Sequence, residues 1–331
     1  MKPPRLHWTK LPPVSDPEGF ASPFAGVAGD ALLVAGGAHF PDLRPWEGGT
    51  KVWSDRIFLL AEADGEWSEI GRLSRPNAYG LSVTAPGGVL CAGGGDAHRH
   101  FDEVFLLAWN GRQLARTALP ALPRACAFMS WAVAGDQLYV AGGIDRPDAT
   151  GALATFWALD LAATDRGWRN LPPCPGPARM LAVAGADADT FYLFSGVSLR
   201  ADGQGKAVRT YLRDAYAYRE DRGWRRLADL PQPGVAAPSP APTTPAGEIL
   251  VIGGDDGTRV HFNGPGHPGF PQEILSYEPA NDRWSLAGAA PFSRATVPTT
   301  QWRGRWVIPN GERIPGYRTP EVWALDCQPN E

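Results

Sequence analysis

Six segments of the chain end in the same way, as a short apolar run closed by glycine. They are LLVAGG ending at Gly37, VLCAGG at Gly94, LYVAGG at Gly143, FYLFSG at Gly196, ILVIGG at Gly254 and WVIPNG at Gly311. The intervals between the closing glycines are 57, 49, 53, 58 and 57 residues (94−37, 143−94, 196−143, 254−196, 311−254). A period near 50 residues means one supersecondary unit used repeatedly, because a single unit of that size cannot bury its own apolar face.

Each marker has the same neighbours. Before it lies a second short apolar run, as in PFAGVAG, AYGLSVTA, FMSWAVAG and MLAVAGA, joined to it by residues suited to a hairpin. After it comes a loop of variable length and then an alternating strand: DRIFLL, DEVFLLAW, TFWALDL, DAYAYRE, EILSYEP or PEVWALD. The unit closes with a strand opened by Trp67, Trp168, Trp224 or Trp284, with Leu114 in that place once. Four strands, six times over, predict an all-β fold: a six-bladed β-propeller with Kelch-type blades, filling residues 1–331 as one domain. The sixth unit lacks its tryptophan strand, and LHWTKLPPV at the N-terminus, with Trp8 in the right place, supplies it. That strand closes the ring and leaves no long open sheet edge.

Composition agrees with a turn-rich β protein. The chain carries 39 Gly, 33 Pro and 13 Trp against 20% charged residues, and no helical periodicity emerges. A net charge of −4 gives no general attraction to nucleic acid or to an anionic membrane. The N-terminus shows no apolar signal-peptide core, so the chain as given reads as cytoplasmic, or periplasmic if a leader has been removed. Cys91, Cys126, Cys174 and Cys327 are widely spaced and read as buried or inert thiols. HRHFDEV supplies His98, His100 and Asp102, but the two histidines lie either side of the loop-to-strand boundary with no further ligand at a recognisable spacing, so neither a metal nor a cofactor is expected.

In an up-and-down blade the second strand ends on the face where the first one starts, and the first strand lies nearest the axis. Two sets of residues are therefore expected at one mouth. Second-strand ends supply His39, Asp42, Arg44, Trp46 and Glu47, then Asp96, His98, Asp145, Arg146, Asp255 and Asp256, and finally Glu312. First-strand starts supply Arg75, Tyr79, Arg124, Arg179 and Arg294. A recurrent arginine is either architectural or a ligand donor. Four of them aimed at one mouth suit an anionic ligand, above all a carboxylate held through two parallel hydrogen bonds.

The glycine-paired blades, the loop FPDLRPWEGGTKVW, the stretch SRPNAYGLSV and above all NGERIPGYRTPEV resemble the N-acetylneuraminate epimerases, or sialic acid mutarotases, in a circularly permuted form. The resemblance implies a propeller that interconverts the α and β anomers of an acidic sugar without a cofactor. It places the catalytic glutamate at Glu312 and its arginine at Arg318, with Arg75, Arg124, Arg179, Arg294, Arg44 and Glu47 as candidate substrate-binding residues. Two other readings stay open: a propeller scaffold that binds proteins without chemistry, and a sialidase-like glycoside hydrolase, although no Ser-x-Asp-x-Gly-x-x-Trp box is present.

Overall fold

The computed structural model describes residues 4–328. Among them the regular structure is β-strand with three single-turn 3-10 helices and no α-helix. Blade one pairs Phe24–Ala28, Ala31–Ala35, Arg56–Leu60 and Trp67–Arg72 in that order from the inner edge outward. Blades two, three and four repeat the meander from inner strands Leu81–Ala85, Ser130–Ala134 and Val183–Ala186.

Blade five departs from the four-strand expectation. Its sheet holds Ile249–Ile252, Glu273–Glu278 and Arg283–Ala289 alone. The stretch SPAPTTPAG that should give the inner strand contains prolines with no N–H to donate, so it reaches its neighbour through single contacts. Thr243 bridges Ile249, and Pro242 accepts from the Leu250 amide over 2.8 Å.

Blade six closes the ring as the sequence predicts. Arg5–Leu11 pairs with Val322–Gln328 in continuous register from Arg5↔Gln328 to Leu11↔Val322, completing the sheet of Thr300–Trp302 and Arg305–Pro309. The core lies in the wedges between blades; Leu11, Phe20, Phe58, Trp67, Val307 and Val322 fill the one between blades six and one. The outer tryptophans tie the wedges at the rim. Four of the indoles donate to a backbone carbonyl of the preceding blade: Trp67 to Pro12, Trp168 to Pro120, Trp224 to Pro172 and Trp284 to Ala228, over 2.8 to 3.1 Å.

At the axis the chain makes a second ring. Ser22, Tyr79, Phe128, Leu181, Ala236 and Thr296, one before each inner segment, all have positive φ, from 44° to 66°. Each amide donates to the carbonyl of the equivalent residue one blade back, and Ser22 donates to Thr296, so six hydrogen bonds of 2.7 to 3.1 Å form a closed cycle. The left-handed conformation costs a residue with a Cβ roughly 1–2 kcal/mol. Here that cost is offset because it turns every amide along the ring rather than along its own blade.

Candidate active site

The residue before each ring member pairs with the residue that follows a glycine marker. The six bridges are Ala21↔Ala38, Ala78↔Gly95, Ala127↔Ile144, Met180↔Val197, Val235↔Asp255 and Ala295↔Glu312. The post-marker positions therefore crowd around the axis on one face, and only blades five and six place carboxylates there. Asp255 is engaged by the Tyr211 hydroxyl at 2.7 Å and the Gly257 amide at 2.9 Å.

Glu312 opens a short hairpin, Glu312–Ile314 with Tyr317–Arg318, inserted between the second and third strands of blade six. The turn residue Gly316 has φ 83°, and a Cβ there would lie 2.5 Å from Pro45 Cγ, so glycine lets the hairpin pack under the blade-one loop. The pairing sets Arg318 opposite Glu312, with Nη1 2.8 Å from Oε1. The Thr296 hydroxyl donates to Oε2 at 2.9 Å. Arg318 is 5% exposed; its Nε donates to the Ala38 carbonyl at 3.2 Å and its guanidinium lies over the Phe40 ring. Nη1 and Oε1 thus form a buried ion pair, although no Nη1–H is aligned on the carboxylate as a hydrogen bond.

Both side chains line a cavity of about 500 Å³. The blade-one loop contributes Phe40, Trp46 and Lys51, and the loop that follows Gly254 contributes Phe262, Asn263 and His267. The two loops meet where Gly264 lies against the Trp46 ring. His267 is 9% exposed, and its Nδ1 accepts from the Gly269 amide at 3.0 Å. Burial lowers its pKa, so the ring is neutral with its proton on Nε2. Lys51 Nζ lies 4.6 Å from the Trp53 ring centre and 5.3 Å from that of Tyr79. Burial lowers the lysine pKa and the Arg318 charge adds to this, with Glu312 opposing. Burial also pushes the Tyr79 phenol up to about 12.

The four recurrent arginines are not brought together at this cavity. Arg179 is 2% exposed and grips Asp214 through two bonds of 2.8 and 2.7 Å while donating to the Ser195 carbonyl. Arg294 is buried against Glu321 at 3.2 Å, and burial pulls its pKa down to about 10. Arg75 pairs with Glu103 at 2.7 Å and Arg124 with Asp145 at 3.4 Å. Three of the four thus face the carboxylate that opens the third strand of their own blade. Arg44 pairs with Glu18 and lies over the Tyr317 ring, while Glu47 accepts from the Arg44 amide at 2.9 Å. These two brace the loop whose Pro45 and Trp46 line the cavity. Asp96 closes its own turn onto the His98 and Arg99 amides. Buried His100 sits 3.0 Å from the Ile144 carbonyl through Nδ1, and among the described residues no three of His, Cys, Asp and Glu gather as a metal site.

Lys51 and His267 in the cavity lining, and Thr296 behind Glu312, are polar groups that do not stand out in the sequence. Lys51 lies inside the FPDLRPWEGGTKVW loop, where a single lysine beside a tryptophan-flanked turn is its one sequence signal.

Residues 1–115 match the family model described as N-acetylneuraminate epimerase. The chain resembles the N-acetylneuraminate epimerases. The protein of that name from Brucella suis (strain ATCC 23445 / NCTC 10510) is 41% identical over 125 residues, 33% of this chain and 32% of that protein. The chain thus aligns with about a third of the length of this epimerase. The N-acetylneuraminate epimerase of Haemophilus influenzae (strain PittEE) is 28% identical over 229 residues, 61% of this chain and 58% of that protein. The solved structure of YjhT superposes with a TM-score of 0.69 at 15% identity, over 96% of this chain and 99% of that one. That likeness establishes the six-bladed propeller. The family match takes in the blade-one loop with Trp46 and Lys51; Glu312 and Arg318 lie beyond it.

Proposed function

We propose that this protein is a mutarotase that interconverts the α and β anomers of N-acetylneuraminate or a closely related acidic sugar. The observation that carries the reading is the Glu312–Arg318 pair, a carboxylate and a guanidinium 2.8 Å apart on one hairpin and facing one cavity. The relatives named N-acetylneuraminate epimerase support the choice of sugar.

Mutarotation opens a hemiketal and recloses it on its other face. Glu312 takes the proton of the anomeric hydroxyl and delivers it to the ring oxygen as the bond from the anomeric carbon to that oxygen breaks. The open form is a keto acid. Rotation about the bond beside the keto carbon turns its other face to the hydroxyl, and the same proton transfers run in reverse. No electron is gained or lost, so the chemistry asks for no cofactor. Arg318 binds the carboxylate next to the reacting carbon through its guanidinium. The Thr296 hydroxyl and the paired hairpin hold Glu312 in one geometry, and positioned acid–base catalysis of this kind contributes about 10²- to 10⁴-fold.

The test is proton NMR of freshly released α-N-acetylneuraminate with and without the protein. Faster approach to the β anomer, lost in Glu312→Gln, is the expected result. A folded wild-type protein that leaves the anomerisation rate unchanged overturns the reading.

A further inference from the structure

Lys51 lines the cavity without an ion-pair partner among the described residues. Three arginines nearby do have carboxylate partners: Arg44 with Glu18, Arg56 with Asp16 and Glu69, and Arg318 with Glu312. Lys51 has aromatic rings instead, Trp53 and Tyr79. A cation over aromatic faces is held in place, but its three N–H donors remain open to an acceptor.

The charge balance of the cavity follows. Glu312 supplies one negative charge, and Arg318 and Lys51 supply two positive ones. Glu312 is occupied by Arg318, the Thr296 hydroxyl and the Gly316 amide at 3.4 Å. Taking an ammonium out of water without a counter-charge is unfavourable, and the site retains one in the same lining as the Arg318 guanidinium, whose carboxylate partner is Glu312. An anion entering the cavity supplies the negative charge that is missing.

We propose that Lys51 is a specificity-determining residue that, together with Arg318, holds the carboxylate of the ligand. The inference rests on reading this cavity as the ligand site and deepens that reading. A carboxylate placed against Arg318 and Lys51 leaves Glu312 free on its other side for the hydroxyl, so charge recognition and proton transfer use different groups. The rings of Trp53 and Tyr79 set the height of Nζ above the ring cycle at the axis, because Tyr79 belongs to that cycle.

The chain has four lysines, Lys2, Lys10, Lys51 and Lys206, so reductive ¹³C-methylation gives a spectrum simple enough to assign Lys51 by loss of its signal in Lys51→Met. Titration with N-acetylneuraminate, with pyruvate as a minimal keto acid and with uncharged N-acetylmannosamine is expected to shift the Lys51 signal, and to raise its pKa, for the two carboxylates only. In steady state, Lys51→Met should raise KM for N-acetylneuraminate ten- to a hundred-fold and change kcat by less than about threefold, with Lys51→Arg recovering most of the loss. If neither carboxylate moves the Lys51 signal, or folded Lys51→Met binds N-acetylneuraminate as the wild type does, the proposal is overturned. If pyruvate shifts Lys51 while the wild type leaves the anomers of N-acetylneuraminate unaccelerated, the carboxylate site stands and the mutarotase reading falls.

Discussion

Thr296 donates its hydroxyl to Oε2 of Glu312 over 2.9 Å, from a backbone held at φ 55° by the hydrogen-bonded cycle around the axis. The proposed base is thereby fixed to the one element of the fold to which all six blades contribute. Thr296→Val keeps a β-branched residue at the same backbone position and removes the donor. A hydrogen bond to a charged group is worth about 1.5–3 kcal/mol, so kcat should fall roughly tenfold or more while KM moves little. Anomerisation rates at saturating and limiting sugar separate the two.

Arg318→Met tests the other half of the pair. Removing one partner of a buried ion pair leaves the second uncompensated, which costs on the order of 3–5 kcal/mol. Lys51 lies in the same cavity as Glu312 and softens that loss, so the expected destabilisation is at the lower end, about 3 kcal/mol in a denaturant titration. Sugar binding should fall further than stability does, because the ligand loses its guanidinium as well.

Arg179→Met should behave in the opposite way. Arg179 is buried, doubly bonded to Asp214, and absent from the cavity lining. The variant is expected to lose about 3–5 kcal/mol of stability and to keep the wild-type KM wherever it is folded. A raised KM with unchanged stability would return Arg179 to the ligand-binding residues.

Acid should act on stability in two stages. Burial holds His100 and His267 below the usual value of 6.5, so the unfolded chain takes up protons first as the pH falls through that range, and stability declines. Glu321 sits at about 2 rather than 4.5: burial opposes the shift, but hydrogen bonds from Lys10, Arg294 and Trp323 prevail. Its contribution is whole above 4.5 and is lost as the pH falls towards 2. The melting temperature measured from pH 8 to pH 3 should therefore step down below about 6.5 and again below about 4.5. Replacing His100 and His267 by Gln should remove the first step.

Much of this architecture was legible because its signals are periodic. The glycine markers and the outer tryptophans recur at blade spacing, and Trp8 at the N-terminus identifies the strand that pairs with Val322–Gln328. The juxtaposition of Glu312 and Arg318 was legible because both lie in one local motif that folds as a single hairpin. Lys51 and His267 were not, since their place depends on how two non-periodic loops fold over the mouth. The arginines were the instructive difference. Arg75, Arg179 and Arg294 recur for the same reason as Glu103, Asp214 and Glu321, the acids that open the third strands and face them. A search for pairs of recurring opposite charges, rather than for recurring cations, would have matched them as internal braces.

The hairpin that carries Glu312 is spliced between Arg305–Pro309 and Val322–Gln328, and the second of these is the strand on which Arg5–Leu11 docks. The strand pair that closes the ring thus lies directly behind the hairpin of the proposed base and its arginine. A chain whose first and last strands have not met lacks the outer strand of blade six, against which the hairpin's flanking strand docks. Recovery of turnover during refolding should therefore trail recovery of β-structure, and turnover would serve as a chemical clock for the moment at which the circle is completed.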